Sequence, residues 1–306
     1  MNKNRKEKVL YYTSEGLRLA GELYLPAGEG EGNTCPGIVL CQGLSGVKEK
    51  VLPEIAALFR EEGFACLAFD YRGFGESEGE RPRLFPLERA ADIGHAVSFL
   101  VSRPEIDARR VGLYGLSYGA TVVPWAAAFD RRVVAAAAVS GSGNGERWMR
   151  LLRTAGQWLE FTQRLEEDRI EVVRTGKSRL VPLTDIIPFS DEFWRKYKSL
   201  SSDRESSSLP PAASPGVPEF PLSSAASMVE FSPDTVVGLV SPRPILFIHG
   251  EEDDVCPVEL AVDMCRRAGV PKKIVILPGR DHIDLDHGDG LREQVALSLS
   301  WFREHL

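Results

Sequence analysis

Cysteine is scarce and poorly placed for metal or disulfide chemistry. The chain holds five, an odd number, and none forms a CxxC pair. This usage argues against a zinc site and a disulfide scaffold, and it fits the reduced thiols of a cytoplasmic protein. The five are Cys35, Cys41, Cys66, Cys256 and Cys265.

Positive charge and long apolar runs are lacking as well. Lys and Arg number 37 against 44 Asp and Glu, a formal net charge of -7, whereas a nucleic-acid binder usually carries a basic surplus. Apolar runs such as residues 133–139 fall far short of the roughly 20 residues that a spanning helix needs. The basic N-terminus is not followed by the apolar segment and cleavage site of a signal peptide. We therefore predict a cytoplasmic protein with no nucleic-acid partner and no membrane segment.

The chain does show an alternation of short apolar runs and amphipathic helices. Its 306 residues, 43% of them apolar, suffice to bury a large core. Residues 9–13 and 17–24 flank a Ser-Glu-Gly turn and predict an N-terminal antiparallel hairpin. Helices alternating with the later apolar runs predict an α/β fold with a mostly parallel sheet and right-handed crossovers. Buried strands are predicted at residues 37–41, 64–69, 110–114, 133–139, 244–249 and 273–277.

The alternation stops between residues 142 and 240. We interpret residues 142–240 as an inserted, largely helical cap, because the late strands continue the pattern of the early ones. The core is thus predicted to consist of residues 1–141 and 241–306. Within the insert, residues 146–168 predict a helix, and the Ser- and Pro-rich residues 199–227 predict an irregular loop.

The sharpest local signal is the Gly-Leu-Ser-Tyr-Gly sequence of residues 115–119. It follows an apolar run and precedes a helix-forming stretch, which is the strand, turn and helix context of a nucleophile elbow. The small neighbours permit a strained turn that exposes the Ser117 hydroxyl at a helix N-terminus, where a developing oxyanion is stabilised. Ser117 is therefore the candidate nucleophile. The alternative is a glycine-rich turn with a capping serine.

A serine nucleophile needs a base, and the chain offers five histidines. His282 lies in the loop after the last predicted strand. Loops at the carboxyl ends of parallel strands meet at one edge of the sheet, so this loop is expected on the same edge as Ser117. His287, further along the loop, is the second choice. His95, His249 and His305 are interpreted as packing or surface residues.

The base in turn needs a carboxylate that fixes its tautomer and stabilises the imidazolium. Four acids, Glu-Glu-Asp-Asp, follow closely after the strand at residues 244–249. Asp253 is the first choice and Asp254 the second, while the two glutamates are expected to be solvated. Ser117, Asp253 and His282 then follow one another as nucleophile, acid and base.

With these residues the chain resembles an α/β-hydrolase. Residues 43–49 (Gly-Leu-Ser-Gly-Val-Lys-Glu) and 70–77 (Asp-Tyr-Arg-Gly-Phe-Gly-Glu-Ser) are similar to the dienelactone-hydrolase-like and acetyl-xylan-esterase-like branch. That branch also includes uncharacterised bacterial hydrolases and fungal polyketide acyltransferases. The resemblance implies an oxyanion hole made by the backbone N–H groups of Tyr118 and Leu44. The chain departs from the common His-Gly pattern of this loop, because Gln42 stands in the histidine position.

Two other patterns suggest different chemistry. Residues 281–289 are rich in Asp and His but miss the spacing of a calcium loop. Cys41 ends a predicted strand, and since no histidine motif lies beside it we interpret it as a packing residue. We predict neither a metal nor a cofactor.

These residues predict a serine hydrolase for a carboxylic ester, thioester or lactone, acting through an acyl-enzyme on Ser117. Acyl transfer to an alcohol is the nearest alternative, since a cap can exclude water from the same intermediate. A peptidase and a non-catalytic ligand-binding protein are further alternatives. The expected partners are a small-molecule substrate and, as a further option, other copies of the chain in a homo-oligomer.

The insert contributes apolar side chains that favour a medium-sized hydrophobic substrate group, with plain packing as the alternative for each of them. Three arginines of the insert are candidates for a substrate carboxylate, the alternative being a solvated helix face. The apolar residues are Trp148, Leu151, Leu152, Trp158, Phe161, Phe189, Phe193 and Trp194, and the arginines are Arg147, Arg150 and Arg153.

Overall fold

The computed structural model describes residues 5–27, 34–80, 83–201 and 219–306. The strands in chain order are β1 (Arg5–Tyr12), β2 (Arg18–Leu25), β3 (Cys35–Cys41), β4 (Ala65–Phe69), β5 (Ile106–Leu116), β6 (Val133–Val139), β7 (Leu180–Pro182), β8 (Glu219–Pro221), β9 (Ile245–Gly250) and β10 (Lys272–Leu277). The α-helices are α1 (Leu52–Glu61), α2 (Pro86–Val101), α3 (Tyr118–Phe129), α4 (Gly145–Leu151), α5 (Ala155–Thr175), α6 (Leu183–Ile186), α7 (Asp191–Ser201), α8 (Leu222–Glu230), α9 (Val258–Arg267) and α10 (Gly288–His305). Short 3₁₀ helices occupy Pro233–Thr235, Val237–Val240 and Asp284–Asp286.

Eight strands form one sheet in the order β1-β2-β4-β3-β5-β6-β9-β10. The β1–β2 hairpin and the β2–β4 pair are antiparallel, and the pairs from β4 to β10 are parallel. This confirms the predicted α/β-hydrolase fold, a mostly parallel sheet with an N-terminal antiparallel hairpin. The chain crosses from β3 to β4 on one side and returns to β5 on the other. The carboxyl ends of β3 and β5 therefore flank the point where ligands bind in open α/β sheets.

Helices cover both faces of the sheet, which explains why its central strands read as continuous apolar runs. Successive residues of a strand point to opposite faces. In β3, Val39 and Cys41 join a hydrophobic cluster with α2 and α3, whereas Ile38 and Leu40 join a second cluster with α1 and α10. The core thus lies on both sides of β3 and β5, and it holds their carboxyl ends in fixed positions.

The chain between β6 and β9, here called the β6–β9 segment, contains α4 to α8 and the antiparallel pair β7–β8. Despite this interruption, β9 pairs directly with β6 in parallel register. Buried residues of the segment, including Trp148, Phe161 and Leu165, belong to the same hydrophobic cluster as Val39 of the sheet. The segment therefore packs onto one face of the core through a shared apolar interior.

Two local predictions in this segment were wrong. The helix predicted at 146–168 is two helices, α4 and α5, because Thr154 starts a new helix through a capping box with Gln157. Of the irregular loop expected at residues 199–227, residues 199–201 end α7, residues 219–221 form β8 and residues 222–227 lie in α8. Residues 202–218 of that loop lie outside the described residues.

In the described part of the chain, no helix is both long enough and apolar enough to cross a membrane. The five cysteines are free thiols, and four of them are buried.

Candidate active site

Ser117 stands between β5 and α3 in a strained backbone conformation, with φ 53° and ψ −121°. A positive φ is uncommon for a residue with a side chain and has to be held by its surroundings. The surroundings are tight: a Cβ on Gly119 would lie 2.1 Å from the Cys41 carbonyl oxygen, and one on Gly115 would lie 2.7 Å from the Ala120 nitrogen. The two glycines of the motif therefore permit the close approach of β3, β5 and α3 that this turn requires.

His282 contacts both of its predicted partners. Its Nε2 lies 2.9 Å from Ser117 Oγ, and its Nδ1 lies 2.8 Å from Asp253 Oδ2. Asp253 follows β9 and His282 follows β10, so the carboxyl ends of three parallel strands bring these side chains together, as expected. His287, the second choice for the base, is the N-cap residue of α10 and lines the cavity that opens at Ser117 and His282.

Asp253 is fixed at both carboxylate oxygens. Oδ1 accepts hydrogen bonds from the backbone N–H groups of Val255, at 3.0 Å, and Cys256, at 2.7 Å. Oδ2 faces His282 and also lies 3.3 Å from His249 Nε2. Burial by itself raises the pKa of the Asp253 carboxyl, but the two histidines hold it well below its usual range. Asp253 is therefore an anion held in place for His282.

The neighbouring acid has a different environment. Asp254 is exposed, and its Oδ2 accepts a hydrogen bond from Ser190 Oγ in the β6–β9 segment. The geometry thus distinguishes the two adjacent aspartates: Asp253, the first choice from the sequence, contacts His282, whereas Asp254, the second choice, contacts Ser190.

His249 is fully buried behind Asp253. Its Nε2 lies 2.5 Å from the Cys256 carbonyl oxygen, which can only accept, so this nitrogen carries the proton. A second imidazole therefore donates toward the loop that carries Asp253. Its position four residues before Asp253 was visible in the sequence, but nothing there indicated that the loop folds back onto it.

The electrostatics around His282 favour its charged form. Burial by itself lowers the pKa of His282, but the charge and hydrogen bond of Asp253 raise it to about 9. Asp286, in the same loop, adds to this effect, and burial raises its own pKa to about 6. Asp286 lines the cavity, and its shielded Oδ1 has no hydrogen-bond partner among the described residues. Sequence reasoning saw Asp286 only as one of several acids in residues 281–289.

The loop after β3 lies against Ser117 and presents backbone donors. A Cβ on Gly43 would lie 3.3 Å from Ser117 Cβ, and the Gly43 N–H is taken by the Gln42 side chain at 2.9 Å. The N–H groups of Leu44 and Tyr118, in contrast, have no acceptor within the described ranges. Unpaired N–H groups next to a nucleophile are suited to binding an oxyanion. The Gln42 side chain therefore accepts from the Gly43 N–H and leaves the Leu44 N–H available for an oxyanion.

A cavity with a mainly apolar wall opens at Ser117 and His282. Of the predicted apolar residues of the insert, Trp148, Phe189 and Phe193 line it, and Phe161 is instead buried in the core. The wall also includes Leu44, Val51, Leu116, Tyr118, Ile187, Tyr197, Val255 and Ile283.

The three arginines of the insert lie elsewhere. Arg147 pairs with Asp263 of α9, and Arg150 is exposed. Arg153 donates to the backbone carbonyls of Asp185 and Ile186. None of the three lines the described cavity.

A model of the alpha/beta hydrolase family matches residues 38–294. The chain belongs to this family. It is 28% identical over 309 residues to a polyketide transferase, GrgF, from a Penicillium species, covering 98% of this chain and 97% of that protein. It is 29% identical over 288 residues to a thiohydrolase, AneE, from Aspergillus aculeatus, covering 92% of this chain and 89% of that protein. Hydrolases and acyl transferases are thus both among the proteins that this alpha/beta hydrolase is similar to.

Solved structures show the same fold over the full length. A hypothetical protein from Pseudomonas aeruginosa superposes with a TM-score of 0.81 at 26% identity, covering 99% of this chain and 94% of that one. DcsB, solved in complex with a substrate analogue, superposes with a TM-score of 0.81 at 24% identity, covering 99% of this chain and 100% of that one. At that level of identity, the likeness to DcsB shows the fold alone.

Two acidic clusters among the described residues each contain a lysine ammonium group. Lys196 Nζ of α7 lies 2.6 Å from Asp281 Oδ2 and 2.7 Å from Asp284 Oδ1. Among the described residues, a group of three acids that could share one ion is formed by Glu49, Asp70 and Glu76. The buried Lys48 Nζ lies 2.5 to 2.7 Å from all three of these carboxylates, in the place an ion would take.

The electrostatics of Cys41 argue against a role as nucleophile. It is fully buried at the end of β3, and burial raises the pKa of its thiol to about 12. A thiol with this pKa stays protonated near neutral pH, and the thiolate is the reactive form.

Proposed function

We propose that the protein is a serine-dependent acyl hydrolase that cleaves a carboxylic ester, thioester or lactone through an acyl-enzyme on Ser117. The observation that carries this proposal is the continuous contact from Ser117 Oγ through His282 to Asp253, at 2.9 Å and 2.8 Å, at the mouth of an apolar cavity. A hydroxyl, a base and an orienting anion in this order are the parts of a serine nucleophile.

In the first half of the reaction, Ser117 Oγ attacks the substrate carbonyl carbon while its proton passes to His282 Nε2. Asp253 stabilises the resulting imidazolium by accepting a hydrogen bond from its Nδ1–H. The carbonyl oxygen becomes an oxyanion, and the free N–H groups of Tyr118 and Leu44 donate to it. When the tetrahedral intermediate collapses, His282 gives the proton to the leaving alcohol or thiol, and the acyl group stays on Ser117.

In the second half, His282 takes a proton from water, and the hydroxide attacks the acyl-enzyme. Collapse of the second intermediate breaks the bond to Ser117, which regains its proton from His282, and the free acid leaves. No group beyond substrate and water is consumed.

The cavity wall favours an apolar acyl chain. Trp148, Phe189 and Phe193 come from the β6–β9 segment, which in this proposal is the cap that covers the nucleophile. Each buried CH₂ group of a substrate adds about 0.8 kcal/mol of binding free energy in such an environment. Relatives named thiohydrolase and acyltransferase support a thioester as the first substrate class to examine.

Labelling with a fluorophosphonate tests the nucleophile. The native protein should gain one covalent adduct by mass spectrometry, and Ser117→Ala should gain none. Ser140→Ala is the matched control, because Ser140 is a buried serine with a similar φ of 56° at the end of the neighbouring strand, β6. Failure of the native protein to label, or equal labelling of Ser117→Ala, contradicts the proposal and favours a non-catalytic ligand-binding protein.

Acyl transfer is a second candidate, favoured by the aromatic wall over the nucleophile and by the relatives named transferases. The two reactions share the acyl-enzyme and differ in what resolves it. Incubation with an aryl thioester and a series of alcohols, followed by separation of free acid from transfer ester, distinguishes them. Formation of the transfer ester without free acid excludes hydrolysis, and free acid alone excludes transfer to these alcohols.

A further inference from the structure

Arg89 is a buried cation whose hydrogen-bond partners are backbone carbonyls. It lies on α2 with 2% of its surface exposed. Its Nη1 donates to the Gly43 carbonyl at 3.0 Å, and its Nη2 donates to the Leu44 carbonyl. In the described part of the chain no carboxylate forms an ion pair with Arg89, since Asp92 of the same helix pairs with Arg72 instead, and Arg89 Nε has no partner. Burial lowers the pKa of this guanidinium, as expected where a charge is removed from water.

Keeping such a cation in the core costs stability, since neither water nor a counter-ion compensates its charge fully. Features of this kind persist where they serve a site. The two carbonyls that Arg89 binds belong to the loop that faces Ser117, which identifies the site that it serves.

The geometry of one peptide group links Arg89 to the Leu44 N–H. The Gly43 carbonyl and the Leu44 N–H belong to one trans peptide, in which C=O and N–H point in opposite directions. Because Arg89 holds the carbonyl from the α2 side, the Leu44 N–H points away from α2. The preceding N–H, of Gly43, is held by the Gln42 side chain at 2.9 Å. The Gly43 N–H and the Leu44 carbonyl are thus both held, on either side of the Leu44 N–H, which has no acceptor among the described residues.

The same guanidinium also contacts the second half of the proposed oxyanion hole. Arg89 Cζ lies 5.5 Å from the ring centroid of Tyr118, whose backbone N–H is the other free donor. The rings of Tyr71, at 4.5 Å, and Phe74, at 5.1 Å, also lie against it. Aromatic faces attract a cation at these distances and keep the guanidinium in one place.

We propose that Arg89 is the positioning residue of the oxyanion hole: it aims the Leu44 N–H at the substrate oxygen and, through its charge, polarises that peptide toward a stronger donor. A hydrogen bond to the carbonyl of a peptide strengthens the donation by its N–H, most of all at low dielectric. The inference rests on the proposed function, because the oxyanion forms only if Ser117 attacks a substrate carbonyl.

A lysine cannot reproduce this arrangement. The planar guanidinium supplies two N–H groups at a fixed spacing, one for each carbonyl, whereas an ammonium is a single flexible point donor. Arg89→Lys therefore keeps the positive charge but loses the two N–H groups at fixed spacing, and Arg89→Met loses both the charge and these donors.

Steady-state kinetics on an activated ester test this role. Loss of one oxyanion donor typically lowers kcat by roughly 10²- to 10³-fold, and we expect this for Arg89→Met with KM changed less than about threefold. We expect Arg89→Lys to recover part of that loss. Arg243→Met is the matched control, because Arg243 Nη1 also donates to two carbonyls, those of Asp130 at 2.8 Å and Val133 at 3.1 Å. These lie near the amino-terminal ends of β6 and β9, whereas the site lies at the carboxyl ends of the strands. The kcat of Arg243→Met should stay at the native value.

Inhibitor binding separates a positioning role from a merely structural one. A trifluoromethyl ketone forms an anionic hemiketal with a nucleophilic serine, whereas the corresponding secondary alcohol binds without developing charge. Arg89→Met should lower the affinity for the ketone by the same factor by which it lowers kcat. It should leave the affinity for the alcohol nearly unchanged. Equal weakening of both ligands, or native kcat in a folded Arg89→Met protein, overturns the inference.

If Arg89→Met does not fold, judged by circular dichroism, the same comparison on Arg89→Lys decides, and an unchanged kcat there overturns the inference. A native enzyme that neither hydrolyses the ester nor labels at Ser117 contradicts the proposed function itself. A native enzyme that does both, beside a fully active Arg89→Met, contradicts the positioning role alone.

Discussion

At the scale of single residues, the site depends on how one carboxylate sets the protonation of one imidazole. The Asp253 charge is held by two backbone N–H groups and two histidines, and it raises the pKa of His282 above its ordinary value of 6.5 despite burial. His282 accepts a proton only in its neutral form. Activity in the proposed reaction therefore appears as the pH rises through the pKa of His282.

The first prediction concerns this pH dependence. In the native enzyme kcat/KM should rise with pH to a plateau, with a midpoint above 6.5. Asp253→Asn removes the charge that raises the pKa of His282, so the midpoint should move to lower pH while the plateau falls by up to about 10⁴-fold. The measurement is kcat/KM for an activated ester against pH. Asp254→Asn is the control, because Asp254 is exposed and bonds to Ser190, and its charge makes the smallest of the contributions that raise the pKa of His282. It should lower the midpoint less than Asp253→Asn does. An unshifted midpoint in Asp253→Asn would disprove the assignment.

At the scale of secondary-structure elements, the site exists because β3, β5 and α3 approach more closely than ordinary side chains allow. Gly119, in the first turn of α3, lies against the carbonyl of Cys41 at the end of β3. Gly94, in the middle of α2, has open space where a Cβ would project. The same substitution should therefore have opposite effects in the two helices.

We expect Gly119→Ala to lower the free energy of unfolding by about 1–3 kcal/mol, because its methyl group forces α3 away from β3. Labelling at Ser117 should slow in parallel, since the turn that exposes the hydroxyl moves. Gly94→Ala should raise the free energy of unfolding by about 0.5–1 kcal/mol, because alanine favours helix and nothing obstructs it. Urea titration gives both values. A neutral Gly119→Ala would show that the close approach does not constrain the elbow, and a destabilising Gly94→Ala would show that the space beside Gly94 is not open.

Elements built from local signals are the ones that sequence predicts. The strand at residues 133–139 was predicted with the bounds that β6 has, and the elbow followed from its glycines. The break between α4 and α5 was missed, although Thr154 and Gln157 form a capping box that three-residue spacing reveals. The β7–β8 pair joins residues about forty positions apart in the chain, and no local pattern announces such a contact.

The role of Arg89 can be predicted from the sequence only in part. It is placed four residues before Ile93, on the buried stripe of α2, where a charged residue conflicts with the pattern. That conflict is a signal of a special environment, and it can be read from the sequence. Which carbonyls the guanidinium meets cannot be read there, because they come from a loop 45 to 46 residues earlier.

At the scale of the whole molecule, the β6–β9 segment is tied to the sheet by more than chain connectivity. Trp148 Nε1 donates to the Val255 carbonyl at 2.7 Å, beside Asp253. Leu84 N–H donates to Ser224 Oγ at 3.1 Å, and Lys196 pairs with Asp281 and Asp284 in the His282 loop. The segment therefore contacts the loops that carry both the acid and the base, and its apolar residues share a cluster with the sheet.

This shared interior predicts that the segment and the sheet unfold together. Three of the five tryptophans, Trp148, Trp158 and Trp194, lie in the segment, so tryptophan fluorescence gives it more weight than its share of the chain. Far-ultraviolet circular dichroism reports on the helices and strands of the entire chain. In urea the two signals should give one coincident transition, which is the test of a single cooperative unit. Phe161→Ala, which removes a buried ring of α5, should move both curves to lower urea by the same amount. Fluorescence that changes first, with most of the dichroism retained, would mean that the segment is a separate domain whose opening exposes Ser117 without unfolding the sheet.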